Sequence, residues 1–275
     1  MGAPVGYQLL SSSGCKRIVI EDAGVRGEWL VPADPSPGVI LYIHGGGFVS
    51  CSPATHRPIT AAIARRTHRR VFSLAYRLAP EYRFPAATED ARRAYEWLLS
   101  SGEQSIALAG DSAGGNLVLG LALNLRDQKR PEPACVVAFS PWTDLAGTGP
   151  SARENDKADA MFRFDNLAEF AAVYLGDSRA TAPGASIRYQ DLSDLPPVLL
   201  HVGSTELLLD DARRVHDGIL ATGGYSRLEV YSDVPHGWQM LFPFVPEAAA
   251  SIRDAAAFIS QQLLRLSSTA RGSST

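Results

Sequence analysis

Cysteine is scarce in this 275-residue chain. Cys15, Cys51 and Cys135 are odd in number and widely spaced. That excludes a disulfide framework, and no pair has zinc-site spacing. A surplus of one charge is also missing: 26 Lys and Arg face 29 Asp and Glu, for a net charge of −3. Such a balance gives no general pull toward nucleic acid or an anionic membrane. Long apolar runs are absent too. Ala134–Phe139 and Val198–Leu200 fall far below the ~18–20 residues needed to span a bilayer. No basic stretch followed by an apolar one opens the chain, so no signal peptide is expected. Gly6 stands where a myristoylation pattern needs Ser or Thr. These absences leave the cytoplasm as the expected location. No internal repeat and no low-complexity segment is visible. What is present is ordinary globular composition, 45% hydrophobic and 20% charged, which argues against a disordered, collagen-like or fibrous chain. The length suits one large domain or two small ones, with a sizeable core.

Short apolar runs alternate with helical patterns. Arg17–Ile20 and Val25–Val31 read as strands around the Asp22–Gly24 turn. Val39–Ile43 is continuous and branched, the mark of a strand buried on both faces. Arg70–Ala75, Ser105–Ala109, Cys135–Phe139, Val198–Val202 and Leu228–Tyr231 are further strands. Helices are expected at Thr55–Thr67, with Pro58 near its first turn, and at Ala86–Ser100, Ala113–Arg126, Asp211–Ala221 and Glu247–Leu266. Ser267–Thr275 is small and polar and reads as a frayed end. Alternation of this kind predicts an α/β fold with a mostly parallel sheet covered on both faces. Leu145–Pro183 breaks the rhythm. It carries more than one short helical stretch, including Asn166–Tyr174, and reads as an insertion that serves as a lid.

Gly110-Asp111-Ser112-Ala113-Gly114 follows a predicted strand and opens a helix. This is the nucleophile-elbow pattern. The strand must turn sharply at Ser112, small neighbours allow close backbone approach, and the helix N-terminus favours negative charge at the serine oxygen. Upstream, His44-Gly45-Gly46-Gly47-Phe48 ends another strand. Consecutive glycines let main-chain N–H groups converge, which is how an oxyanion hole is built. Its expected donors are the N–H groups of Gly46, Gly47 and Ala113. The loop lacks the Lys-Ser/Thr or third spaced glycine of a phosphate loop. His44 is read as organising this loop. Cys51 follows it and either lines the site or is buried and inert. Cys135 is read as core.

An elbow hydrolase orders its triad Ser, acid, His. His201 lies in an apolar strand and reads as a packing residue. His216 lies mid-helix and reads as part of a solvated face. His236, in Val234-Pro235-His236-Gly237-Trp238, sits in a loop able to carry a base over the sheet edge, and is the expected base. The acid is expected after Val198–Val202. Glu206 is the first carboxylate there and is preferred. Asp210 reads as a helix N-cap and Asp211 as a first-turn partner of the helix dipole. Phe48, Trp238, Met161, Phe162 and Leu207 are candidate pocket walls for substrate. No His/Asp cluster has metal-ligand spacing.

Taken together, His44–Phe48, Tyr76–Glu81 with Phe84-Pro85-Ala86 and Glu89-Asp90, Gly110–Gly115, Ser140–Leu145, Glu206–Asp211 and His236-Gly237 resemble the hormone-sensitive-lipase family of α/β-hydrolases, the GDXG bacterial esterases. The motifs cover about residues 39–245. The resemblance implies an α/β-hydrolase fold with a small helical cap, as a single domain over 1–275 with a cap insertion at about 145–183 and a short N-terminal segment 1–38. It implies a lipase-like serine carboxylesterase that hydrolyses short-chain carboxylic esters through an acyl-enzyme, without cofactor. Ser112 would be nucleophile, His236 base, Glu206 acid, and Gly46, Gly47 and Ala113 the oxyanion positions, with Asp144 structural. It also implies a homodimer through the last strand. Two departures stand out. Family members usually have Asp where Glu206 stands, and they usually carry longer N-terminal helices, so a more open site is expected. Lactone, carbamate or aryl-amide hydrolysis would use the same triad. A non-catalytic receptor on this fold would lack the histidine that is present here as His236.

Overall fold

The computed structural model describes residues 14–272. The Gly2–Gly6 stretch that bears on signal and lipid-attachment patterns lies outside the described residues. Eight strands form one sheet: β1 (Cys15–Asp22), β2 (Val25–Pro32), β3 (Val39–Ile43), β4 (Arg70–Leu74), β5 (Ile106–Asp111), β6 (Val136–Phe139), β7 (Val198–Gly203) and β8 (Ser226–Tyr231). Their order is β1-β2-β4-β3-β5-β6-β7-β8. β1 and β2 form an antiparallel hairpin, and β2 pairs antiparallel with β4. All remaining pairs are parallel.

Among the described residues seven α-helices lie between or after the strands: α1 (Pro53–Thr67), α2 (Ala86–Ser100), α3 (Ala113–Asp127), α4 (Ser151–Glu154), α5 (Phe164–Leu175), α6 (Leu209–Ala221) and α7 (Pro246–Gly272). The central strands bury both faces. Val39, Leu41 and Ile43 join the core under α2 and α3, while Ile40 and Tyr42 join the core under α1 and α7. That two-sided burial explains their unbroken apolar runs. Cys135 is fully buried in the second of these cores, as its apolar setting predicts.

Some boundaries differ from expectation. α1 opens at Pro53, two residues before the expected Thr55, so Pro58 lies inside the helix. It simply leaves one N–H missing from the ladder. The last helix continues to Gly272, through most of the segment read as frayed. Among the described residues no helix is long and apolar enough to cross a membrane.

Parallel strands place their C-terminal ends on one edge, and the loops there carry the chemistry. β3 delivers Gly45–Gly47, β5 delivers Ser112, β7 delivers Glu206 and β8 delivers His236. Between β6 and β7 the chain makes its long excursion through α4 and α5.

Candidate active site

Ser112 sits between β5 and α3 at φ 53° and ψ −119°. A non-glycine residue there carries strain of about 1–3 kcal/mol, and only firm surroundings keep it. Those surroundings are visible. The Ser112 N–H donates to the Phe139 carbonyl at 2.8 Å, and its carbonyl accepts from Trp142 at 3.0 Å. A β-carbon on Gly114 would collide with the Ile43 carbonyl oxygen, so α3 packs against β3 only because glycine is there. Ser112 is 7% exposed.

The glycine loop is held by buried charge. Asp111 accepts from Tyr42 Oη at 2.7 Å and from the Gly45 N–H at 3.1 Å, and faces His56 Nε2 at 3.1 Å. Burial alone would raise the Asp111 pKa. The imidazole of His56 and the hydroxyl of Tyr42 outweigh it and hold the carboxyl below its ordinary value. His44 stacks on Tyr76 with ring centroids 4.3 Å apart and approaches the Gly45 carbonyl through Nδ1 at 2.7 Å. Burial, reinforced by His56, lowers its pKa to about 3. His44 therefore stays neutral and organises the loop. Gly46 adopts φ 107° and Gly47 φ 62°. The Gly46 carbonyl accepts from Val49 and Ser50. The N–H groups of Gly46, Gly47 and Ala113 take no other acceptor among the described residues.

On the other side, Glu206 is fully buried. Its Oε1 accepts from Ser140 Oγ at 2.7 Å and from the Gly203 N–H at 2.6 Å. Its Oε2 lies 2.6 Å from His236 Nδ1. Nδ1 must carry the proton to make that bond, which leaves Nε2 as the basic nitrogen. Burial pushes the His236 pKa down. The Glu206 charge and hydrogen bond outweigh it, Asp159 and Asp111 add to them, and the result is raised above the ordinary value of 6.5. Ser112, Glu206, His236 and the glycine loop thus meet at one sheet edge. The arrangement offers a hydroxyl, a base with a fixed tautomer and a set of free N–H donors. Among the described residues no group of three His, Cys, Asp or Glu could hold a metal ion.

The other candidates fall elsewhere. His201 is buried, with Nδ1 2.8 Å from Ser251 Oγ and Nε2 3.0 Å from Asp254, a packing role as read. His216 is not on a solvated face: it is half-buried, 2.9 Å from Ser226 Oγ. Asp210 is not the N-cap of α6. Leu208 holds that place, and Asp210 accepts the Ser151 N–H at 2.8 Å from the insertion. Asp211 does lie in the first turn of α6, but buried, accepting from Thr143 and Asp144 N–H groups at 2.7 Å. Asp144 is buried and accepts from Ala146, Thr148 and Tyr189.

Of the wall candidates, Phe162 is half-buried and lies edge-on to His236 at 5.1 Å between centroids. Met161 is 61% exposed. Phe48 is fully buried and stacks on Tyr174 at 3.8 Å. Leu207 is buried in the main core, and Trp238 packs beneath the base loop with Tyr231, Val234 and Ala248. These three are core positions, because the rings and chains are spent on neighbours rather than on open space. Cys51 is exposed beside the glycine loop.

Sequence reasoning missed Asp159, Asn155, Ser140 and His56 as supports of the site. Each acts across a long sequence separation, and only Ser140 lay in a recognised motif.

The α/β-hydrolase fold family matches residues 40–240. An acetyl-hydrolase of Streptomyces hygroscopicus is 38% identical over 234 residues, covering 84% of this chain and 78% of that protein. An esterase of Acinetobacter venetianus is 36% identical over 239 residues, covering 86% of this chain and 79% of that protein. A crystal structure of an esterase from the bacterial hormone-sensitive lipase family superposes with a TM-score of 0.89 at 40% identity, covering 94% of this chain and 89% of its own.

Proposed function

Since this chain belongs to the α/β-hydrolase family, among the esterases of the bacterial hormone-sensitive-lipase group, and is a carboxylic ester hydrolase, we propose that Ser112, Glu206 and His236 are its catalytic triad and that short-chain esters are its substrates. The 2.6 Å approach of Glu206 to His236 Nδ1, on the edge that presents the strained Ser112, carries this reading.

His236 Nε2 takes the Ser112 hydroxyl proton as Oγ attacks the ester carbonyl carbon. Glu206 holds the tautomer and stabilises the imidazolium. The carbonyl oxygen becomes an oxyanion held by N–H groups of Gly46, Gly47 and Ala113. One such donor typically carries about 10²–10³ in rate. The tetrahedral intermediate collapses, the C–O bond breaks, and His236 returns the proton to the leaving alcohol. Water, deprotonated by the same base, then releases the acid. The insertion at 145–183 is the cap of a single hydrolase domain in this reading, with Phe162 as a wall. A name of acetyl-hydrolase on the Streptomyces relative supports a short acyl group. Pairing of two copies through β8 belongs to the proposal, supported by that strand's place at the sheet edge. A cytoplasmic setting belongs to it as well, supported by three unpaired thiols.

The test is hydrolysis of p-nitrophenyl esters from acetate to palmitate by wild type and Ser112→Ala, with a serine-reactive phosphonate located by mass spectrometry. Cleavage of short chains, an inactive variant and label on Ser112 are expected. A folded wild type that neither cleaves nor takes the label at Ser112 overturns the assignment.

A further inference from the structure

Asp159 is the one buried carboxylate of the 145–183 insertion, 2% exposed. A buried carboxylate is costly unless hydrogen bonds satisfy it. Here three backbone N–H groups do so. Oδ1 accepts from Met161 at 2.8 Å and Phe162 at 3.0 Å. Oδ2 accepts from Leu207 at 2.9 Å. The first two bonds are local and fold the insertion. The third crosses to the loop after β7.

The place it reaches is specific. The Leu207 N–H and the Glu206 carbonyl belong to one peptide unit. Asn155 Nδ2 donates to that carbonyl at 2.9 Å and to the Ser204 carbonyl at 3.2 Å. Both polar groups of the peptide that follows Glu206 are therefore gripped by the insertion. Meanwhile the Phe162 N–H bound to Asp159 fixes the residue whose ring lies 5.1 Å from the His236 ring.

We propose that Asp159 is a positioning residue of the esterase reaction: it clamps the Glu206–Leu207 peptide and seats Phe162 on His236, so that the insertion aims the acid and the base. The proposal rests on the assignment of Glu206 and His236 given above. The charges that face His236 are Glu206, Asp159 and Asp111, all negative. Asp111 in turn faces His56 Nε2 at 3.1 Å. On the insertion side the Arg163 guanidinium binds the Asp159 and Phe162 carbonyls, adding positive charge nearby. The negative charge of Asp159 supports the imidazolium that forms on His236, beyond its steric role.

The experiment compares wild type with Asp159→Asn, Asp159→Glu and Asn155→Ala. Each is assayed for kcat and KM on p-nitrophenyl acetate across the acid limb, with thermal unfolding and phosphonate labelling in parallel. Asp159→Asn is expected to lower kcat about tenfold and to move the acid limb to lower pH, because a negative charge facing the base is gone. Asp159→Glu keeps the limb at its wild-type position. Asn155→Ala lowers kcat without moving the limb, because it loosens the same peptide and leaves the charge. A folded Asp159→Asn enzyme with wild-type kcat and acid limb overturns the proposal, as does one that only unfolds at lower temperature. If Asp159→Asn does not fold, Asn155→Ala decides: wild-type kcat there refutes the clamp. Failure of wild type to take the label at Ser112 would instead sink the triad assignment, so the two failures are distinct.

Discussion

The glycine loop and serine elbow are tied to the sheet itself, through Asp111 at the end of β5, Tyr42 in β3 and His56 in α1. The loop that carries Glu206 is tied to Ser140, just after β6, and through Asn155 and Asp159 to an excursion outside the sheet. On the first side these buried polar ties are backed by close packing: the Ile43 carbonyl forbids a β-carbon at Gly114, and β3 and β5 pair at Ile43 and Gly110. On the second side the ties are mostly polar, with both groups of the Glu206–Leu207 peptide satisfied from the insertion. Close packing against a sheet yields a rigid oxyanion frame. Hydrogen bonds from an insertion yield an aim that depends on how that insertion sits.

The sharpest break on the polar side is Glu206→Gln. The amide keeps the volume but offers His236 an NH₂ or a neutral oxygen, so the tautomer and the imidazolium lose support. A fall in kcat of about 10⁴ is expected with little change in fold, read by steady-state kinetics and circular dichroism. A fall below tenfold would show that another carboxylate orients the base. On the sheet side, Asp111→Asn removes the charge that Gly45, Tyr42 and His56 share. About 10²-fold in kcat/KM is expected, together with a lower melting temperature. Unchanged kinetics would mean that glycine sterics alone hold the oxyanion loop.

A milder probe is pH. In the proposed mechanism His236 must be neutral to accept the serine proton, and its pKa is raised by Glu206, with Asp159 and Asp111 adding, against the lowering effect of burial. Activity should therefore rise through a midpoint above the ordinary imidazole value of 6.5. The same shift makes its contribution to stability full below the unfolded pKa and lost as pH rises through the folded one. A midpoint below 6.5 in kcat/KM would show that burial outweighs the carboxylates. The smallest effect is expected at Asp211, whose pKa burial raises from 3.8 to about 8, with Asp144 adding. Folded protein holds that proton where unfolded chain has lost it, so stability from this group declines as pH climbs from 3.8 toward 8. Asp211→Asn should flatten that decline, seen as a melting temperature a few degrees above wild type in alkaline buffer. Equal melting curves at alkaline pH would contradict it.

The elbow and glycine loop were legible because their requirements are local. A strand, a tight turn and a helix start must follow one another, and only small residues fit, so Gly110–Gly115 and His44–Phe48 announce themselves. His236 was legible by chain order and its Pro/Gly loop. Trp238 and Leu207 were read as walls yet pack as core, since an apolar side chain near a site looks the same in sequence whether it faces inward or into the cleft. The start of α1 falls before Thr55 because Pro53 can open the helix as well.

The residue order by itself determined the alternation of buried strands and helices, the serine elbow, the glycine loop and the histidine loop, because backbone sterics and short-range periodicity dictate each. Only the tertiary structure decided that Glu206 rather than Asp210 meets His236, that Asp111 binds the oxyanion loop and that Asp159 grips the acid loop. Those choices rest on hydrogen bonds between groups dozens of residues apart, and they exist only once the sheet and its insertion bring the groups to within 2.6–3.1 Å of one another.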